Sequence, residues 1–156
     1  MSRRDQITMS DEEIREFLKS SRTMMLVSNG KDGYPHPMPM WFYVDDEGTV
    51  FMTTFRKSQK VKNLKRDPRV TLLAESGEAY QELKSVLIYA DAEIIDDLDT
   101  TRQTMYNVSV SRGDVAPGQP DVVMGALERT ASKRVTMRFK PKKIVSWDHT
   151  KLGGVY

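Results

Sequence analysis

The chain has 156 residues, 38% hydrophobic and 29% charged, with a formal net charge of +2, two histidines and no cysteine. Length suits one domain over 1–156, with residues 1–9 expected as a flexible N-terminal tail. Without cysteine there are no disulfides or thiolate metal sites, and no apolar run approaches the roughly 20 residues of a bilayer span; with no secretory stretch after the charged opening Met1-Ser2-Arg3-Arg4-Asp5, the expectation is a cytoplasmic protein without a membrane span or metal site.

Ser10-Asp11-Glu12-Glu13 reads as a capping box, and Ile14, Phe17 and Leu18 recur at helical spacing, so a short amphipathic helix is expected over 11–20. Thr23 to Val27 suits a buried strand. The turn-rich Asn29-Gly30-Lys31-Asp32-Gly33 then leads into a second strand between Tyr34 and Val44, a hairpin signal. Pro35, Pro37 and Pro39 are spaced two apart, so their missing N–H groups can all face one side, which suits an edge strand. After the turn Asp45-Asp46-Glu47-Gly48 comes a third strand, Thr49 to Thr54. A helix from Lys57 to Arg66 follows, with Val61 and Leu64 on one side and a stop at Asp67-Pro68.

Further strands are expected over Val70 to Ala74 and Val86 to Ile95, and a helix over Leu98 to Ser111 starting near Asp97 or Asp99. Gly113, Pro117, Gly118 and Pro120 mark a loop from Arg112 to Asp121, ahead of a short helix over Met124 to Ala131. Arg134 to Phe139 alternates like a half-buried strand. Lys140-Pro141-Lys142-Lys143 reads as a turn into a last strand, Ile144 to Trp147. Six or seven short strands with inserted helices predict a mainly β chain, an antiparallel barrel closed or nearly so.

Charge is unevenly spread. Arg56 to Arg69 holds seven basic residues against one acid, whereas Asp91 to Asp99 holds five acids and no base. A helix beginning just after Thr53-Thr54 would point free N–H groups and the positive end of its dipole outward, which suits a phosphate. Ser58 would add a hydroxyl, and Lys57 and Lys60 would add charge. A solvated basic face is the competing reading of the same composition. Nucleic-acid binding is not expected, because no aromatic residues interleave the cations and no second basic patch occurs.

Lys57-Ser58-Gln59-Lys60, Asn63-Leu64 and Arg66-Asp67-Pro68-Arg69-Val70 resemble the signature of the pyridoxamine-phosphate-oxidase-like, FMN-binding split-barrel superfamily. Ser21-Arg22-Thr23, Pro39-Met40-Trp41-Phe42 and Ser146-Trp147-Asp148-His149-Thr150-Lys151-Leu152 extend the likeness over roughly residues 10–152. Taken together they resemble the actinobacterial flavin/deazaflavin oxidoreductases of class B, many of which use coenzyme F420. The resemblance implies an antiparallel, Greek-key-like split β-barrel with peripheral helices, assembled as a cytoplasmic homodimer with cofactor sites at the subunit interface. It implies that the cofactor phosphate lies against Lys57, Ser58 and Lys60 after Thr53 and Thr54. The ring would lie along Met38, Pro39, Met40 and Trp41, and Trp147 and Lys151 would close the site, from the same subunit or the other. The arginine-rich C-terminus of the true oxidases is absent here.

The implied function is an oxidoreductase moving hydride between reduced F420 and a small organic acceptor such as an activated double bond, a quinone or a tetrapyrrole. FMN is the alternative cofactor, and a non-catalytic F420 or flavin carrier the alternative role. Both cofactors carry a phosphate beside the ribityl chain, but F420 adds an acidic tail that would suit Arg56, Lys62 or Lys65. Trp41 falls on the opposite strand face from Met38 and Met40, where it could shape a pocket or simply pack. His36 is expected exposed at a strand start, and the methionines as core filling. No nucleophile–base pair stands out, as expected if a cofactor supplies the chemistry.

Overall fold

The computed structural model describes residues 2–118 and 120–154, and within them the side chains of all but Arg3 and 121–124. Where the sequence suggests a loose tail over 1–9, helix α1 (Arg3–Ile7) forms behind a reciprocal cap between Ser2 and Asp5. The segment after it is anchored: Met9 is buried and its N–H donates to Ser146 Oγ at 3.1 Å. Helix α2 (Asp11–Ser20) has the expected capping box, Ser10 Oγ accepting from Glu13 N–H while the Glu13 carboxylate accepts from Ser10 N–H, and it buries Ile14 and Leu18.

Strands β1 (Thr23–Asn29) and β2 (Pro35–Trp41) form the hairpin, paired without interruption from Thr23–Trp41 to Asn29–Pro35. Gly33 supplies the positive φ of 86° in its turn. Strand β2 is an edge strand, as the prolines require. With the ladder to β1 intact, the proline nitrogens must face the open edge, which therefore presents carbonyls with few N–H donors. The expected second strand breaks at Phe42, whose ring turns into the core at 1% exposure, and resumes as β3 (Tyr43–Val44).

Strand β4 (Val50–Phe55) pairs with β3, and helix α3 (Gln59–Arg66) carries the chain across to β5 (Arg69–Ser76), which lies beside β1. After a 3-10 turn at Tyr80–Glu82 come β6 (Lys84–Ile95), α4 (Leu98–Ser111) and α5 (Pro120–Ala131), then β7 (Arg134–Asp148) and a second 3-10 turn at His149–Leu152. Helix α5 begins earlier than expected because Pro120 suits the first helical turn, where its missing N–H costs nothing. The expected turn at 140–143 is absent: β7 runs through it as one strand. A bulge takes up the irregularity, with Tyr89 opposite Lys143 and Ala90 opposite Pro141, so that Lys142 is the extra residue and reaches Asp91.

All seven strands form one antiparallel sheet in the order β2-β1-β5-β6-β7-β4-β3, curled into half a barrel. Leu26, Met52, Leu72, Ile88, Met137 and Phe139 fill its concave side, and methionine supplies much of that core. No helix among the described residues is long and apolar enough to cross a membrane.

Candidate functional site

The crossover from β4 into α3 is where polar groups are buried without the usual partners. Alternation along β4 turns Val50, Met52 and Thr54 to the core and Phe51, Thr53 and Phe55 to the other face. Thr54 is therefore at the inner end of the strand, under the start of α3, whereas Thr53 points away from it. Ser58 takes the N-cap position with an extended backbone, yet its side chain does not cap the helix. Its Oγ lies 3.3 Å from Thr54 Oγ1 instead, leaving the first N–H groups of α3 without a side-chain acceptor.

Lys60 is the second residue of α3, only 8% exposed, and its ammonium donates to Thr54 Oγ1 at 3.1 Å. No carboxylate accompanies it among the described residues. Burial holds its pKa below the ordinary lysine value, and the charge of Arg134 adds to the effect. Arg134 opens β7 directly opposite Phe55 and lays its guanidinium over that ring, 4.3 Å from the centroid. Its Nε is enclosed without a hydrogen-bond partner, and burial lowers its pKa too.

The rest of the basic run divides sharply. Arg56 grips Asp96 with two nitrogens, at 2.7 to 3.0 Å, and donates to the carbonyl of Ser132 at 3.0 Å, which removes it from the cations free to meet a ligand tail. Arg69 pairs with Asp67 at 2.7 Å, and Arg66 donates to the carbonyl of Asn29. Lys57, Lys62 and Lys65 are exposed and in no ion pair among the described residues. Asn63, fully buried, donates to Ser28 Oγ at 3.1 Å and accepts from Gln59 at 2.9 Å, pinning α3 against β1.

Beside this helix a cavity of about 550 Å³ opens toward the β1–β2 turn, lined by Gly30, Lys31, Tyr34, His36, Gln59 and Asn63 among others. His36, expected as an exposed strand-start residue, is half-buried with Nδ1 enclosed and unpartnered. Its signal in the sequence was the strand alternation that puts it on the face of Met38 and Met40, both half-buried. Pro39 and Trp41 lie on the exposed face, where the Arg112 guanidinium stacks over Trp41 at 3.4 Å. Arg134 was missed altogether, because nothing in its local sequence tells that its strand ends beside α3.

Trp147 and Lys151 do not reach this place within the chain. Trp147 sits thirteen residues along β7 from Arg134, about 40 Å of strand before curvature. Lys151 is engaged there, donating to the carbonyl of Thr8 at 2.9 Å and to Glu13 at 2.7 Å. Among the described residues no group of three acids or histidines could hold a metal ion. The donors around Lys60 are cations, hydroxyls and helix N–H groups with no acid between them, a set that fits a phosphate.

The sequence profile of the pyridoxamine 5'-phosphate oxidase family matches residues 10–148. Among solved structures the chain is similar to the conserved hypothetical protein Rv2991 of Mycobacterium tuberculosis, at 36% identity over 100% of this chain and 95% of that one, with a TM-score of 0.88. It shares its fold with an F420 reductase (21% identity, 83% of this chain and 94% of that one, TM-score 0.64). The haem storage protein HutZ of Vibrio cholerae has that fold as well (20% identity, 87% and 94%, TM-score 0.66). No curated protein matches the chain.

Proposed function

The chain belongs to the pyridoxamine 5'-phosphate oxidase family, and from that premise we propose that it is an oxidoreductase that passes hydride between reduced F420 and a small organic acceptor. The observation that carries this reading is Lys60: a lysine 8% exposed, facing no acid, at the start of a helix whose first N–H groups lack a side-chain cap. Burying an uncompensated ammonium costs stability, and a bound phosphate offsets that cost. Thr54, Ser58, Lys60 and the α3 N–H groups would hold the phosphate, with Lys57 at the rim. Thr53 lies on the other face of β4, which it shares with Phe55.

The ring would lie along β2, where the open edge offers carbonyls to ring N–H groups and Met38 and Met40 give a soft apolar surface. When bound, the deazaflavin supplies the hydride from its C5 carbon. The chain's own task is to hold that ring against the acceptor and to exclude water, which needs no strongly basic or nucleophilic side chain. Trp147 and Lys151 could close the site only from a second copy, so the functional unit in this reading is a homodimer. The unpaired Lys57, Lys62 and Lys65 favour F420 over FMN, since its acidic tail would find cations beyond the phosphate.

Titration of the purified protein with F420 and with FMN, followed by absorbance and fluorescence, tests the cofactor. Tight binding of FMN with none of F420 overturns the assignment. Turnover of reduced F420 with a panel of enones, quinones and tetrapyrroles tests the activity, and inertness toward all of them would make the protein a carrier.

A further inference from the structure

Buried and half-buried cations in this fold follow a rule that two of them break. Lys84 lies 2.9 Å from Asp148, Arg102 pairs with Asp99, Arg112 with Asp114 and Arg138 with Glu93. Among the described residues only Lys60 and Arg134 are at least half-buried with no carboxylate within ion-pair distance. They come from different elements, and neither is near the other in sequence. Arg134 shares the outer face of the sheet with Phe55 and Lys60 reaches Thr54 on the inner one, yet both sit where β4 gives way to α3, and the charge of Arg134 bears on Lys60.

We infer that Arg134 is the second cation of the phosphate site, holding the phosphate of a phosphorylated flavin or deazaflavin together with Lys60. The inference rests on the functional reading above and adds to it a residue that neither the sequence motif nor the basic run contains. Three features of the geometry support it. The β4–β7 register fixes Arg134 opposite Phe55, at the point where the chain leaves the sheet for α3. The Phe55 ring, 4.3 Å under the guanidinium, holds that plane in one orientation without using any of its N–H donors. Nε is enclosed and has no partner within the chain, so the guanidinium is not held by an acceptor of its own.

Chemistry makes the pair suitable for phosphate in particular. An ammonium is a point charge, while a guanidinium presents a planar fork that meets two oxygens of one phosphate. Arg56 cannot take this role, because Asp96 and the Ser132 carbonyl already use its donors. A cavity of about 400 Å³ lined by Phe55, Arg56, Lys57, Ser132 and Lys133 lies beside the ring on which Arg134 stacks, with Lys57 and Lys133 adding positive charge.

Calorimetric titration of wild type, Lys60→Ala, Arg134→Ala and Arg134→Lys with FMN, F420 and phosphate-free riboflavin tests the inference. Arg134→Ala should weaken the phosphate-bearing cofactor about 10- to 100-fold, the range of one hydrogen bond to a charged group, and leave riboflavin unchanged. Arg134→Lys should restore part of the loss. If Arg134→Ala fails to fold, Arg134→Gln, which keeps the stack on Phe55, should show the same selective loss. Wild-type affinity in Arg134→Ala beside a loss in Lys60→Ala overturns the role of Arg134 alone. Equal losses for FMN and riboflavin reduce Arg134 to a structural residue and overturn it as well. If Lys60→Ala also binds like wild type, or wild type binds neither cofactor, the phosphate site itself is wrong.

Discussion

At the Asp148 end of β7 buried charge meets its opposite: the Asp148 carboxylate takes Lys84 at 2.9 Å and the backbone and hydroxyl of Thr150, and Lys151 reaches Glu13 at 2.7 Å. At the Arg134 end of the same strand, Lys60 and Arg134 are withdrawn from water with no acid beside them. One strand thus carries two treatments of charge. Paired charges tie the termini of the chain to the barrel, while unpaired ones leave interaction energy unused in the free protein. Sites that bind are often the places where a fold tolerates such a cost.

If the two ends differ in this way, comparable substitutions act on binding at one end and on stability at the other. The largest effect is expected from Lys60→Ala, which should weaken the cofactor by about 1.5–3 kcal/mol, or roughly 10- to 150-fold, in a calorimetric titration. Unchanged binding would place the phosphate elsewhere. Asp148→Ala should instead lower stability by about 2 kcal/mol, because Lys84 loses its partner and the last turn its cap; thermal unfolding would show a Tm lower by roughly 4–8 °C. Its pH dependence has a definite sign. Burial raises the Asp148 pKa, but hydrogen bonds from Thr150 and Lys84 outweigh it and hold the carboxyl below its usual range. The stabilisation is therefore present above about pH 4 and is lost as pH falls through the lowered value, so wild type and Asp148→Asn should converge in strong acid.

The converse applies to Lys60. Lys60→Met keeps the stem and removes the charge, so the free protein should gain about 1 kcal/mol, seen as a Tm higher by roughly 2–4 °C. Since the folded-state pKa of Lys60 is lowered, its penalty is complete below that value and fades as pH rises toward the ordinary lysine range near 10.4, and the advantage of methionine should fade with it. A destabilised Lys60→Met would mean that Lys60 is paired in solution and would erase the contrast between the ends. Smallest of all, Lys151→Ala should cost at most about 1 kcal/mol, as exposed ion pairs do. A loss of cofactor affinity in that variant would show that Lys151 also closes the site of a second copy.

Much of the architecture was legible because its determinants are local. The capping box at Ser10 and Glu13, the helix Leu98–Ser111 behind Asp97, and the edge placement of Pro35, Pro37 and Pro39 follow from neighbours within a few residues. Where the sequence misled, the deciding partner was distant. Pro141 signals a turn by itself, but the bulge opposite Ala90 and Tyr89 absorbs it into one long strand. Ser146 and Lys151 likewise bond to Met9 and Thr8 from more than 130 residues away.

For the site the same division holds. Sequence alone determined that a basic helix follows a Thr-Thr strand end, since periodicity and composition are properties of the chain. It could not rank the cations within that helix. Only the tertiary structure decided that Arg56 is spent on Asp96, that Lys60 is buried without an acid, and that Arg134, 74 residues further on, arrives opposite Phe55 at the end of β4 through the pairing of β7 with β4. The physical reason is that the state of a charge depends on its distance from other charges and from water, and both are set by how the sheet curls.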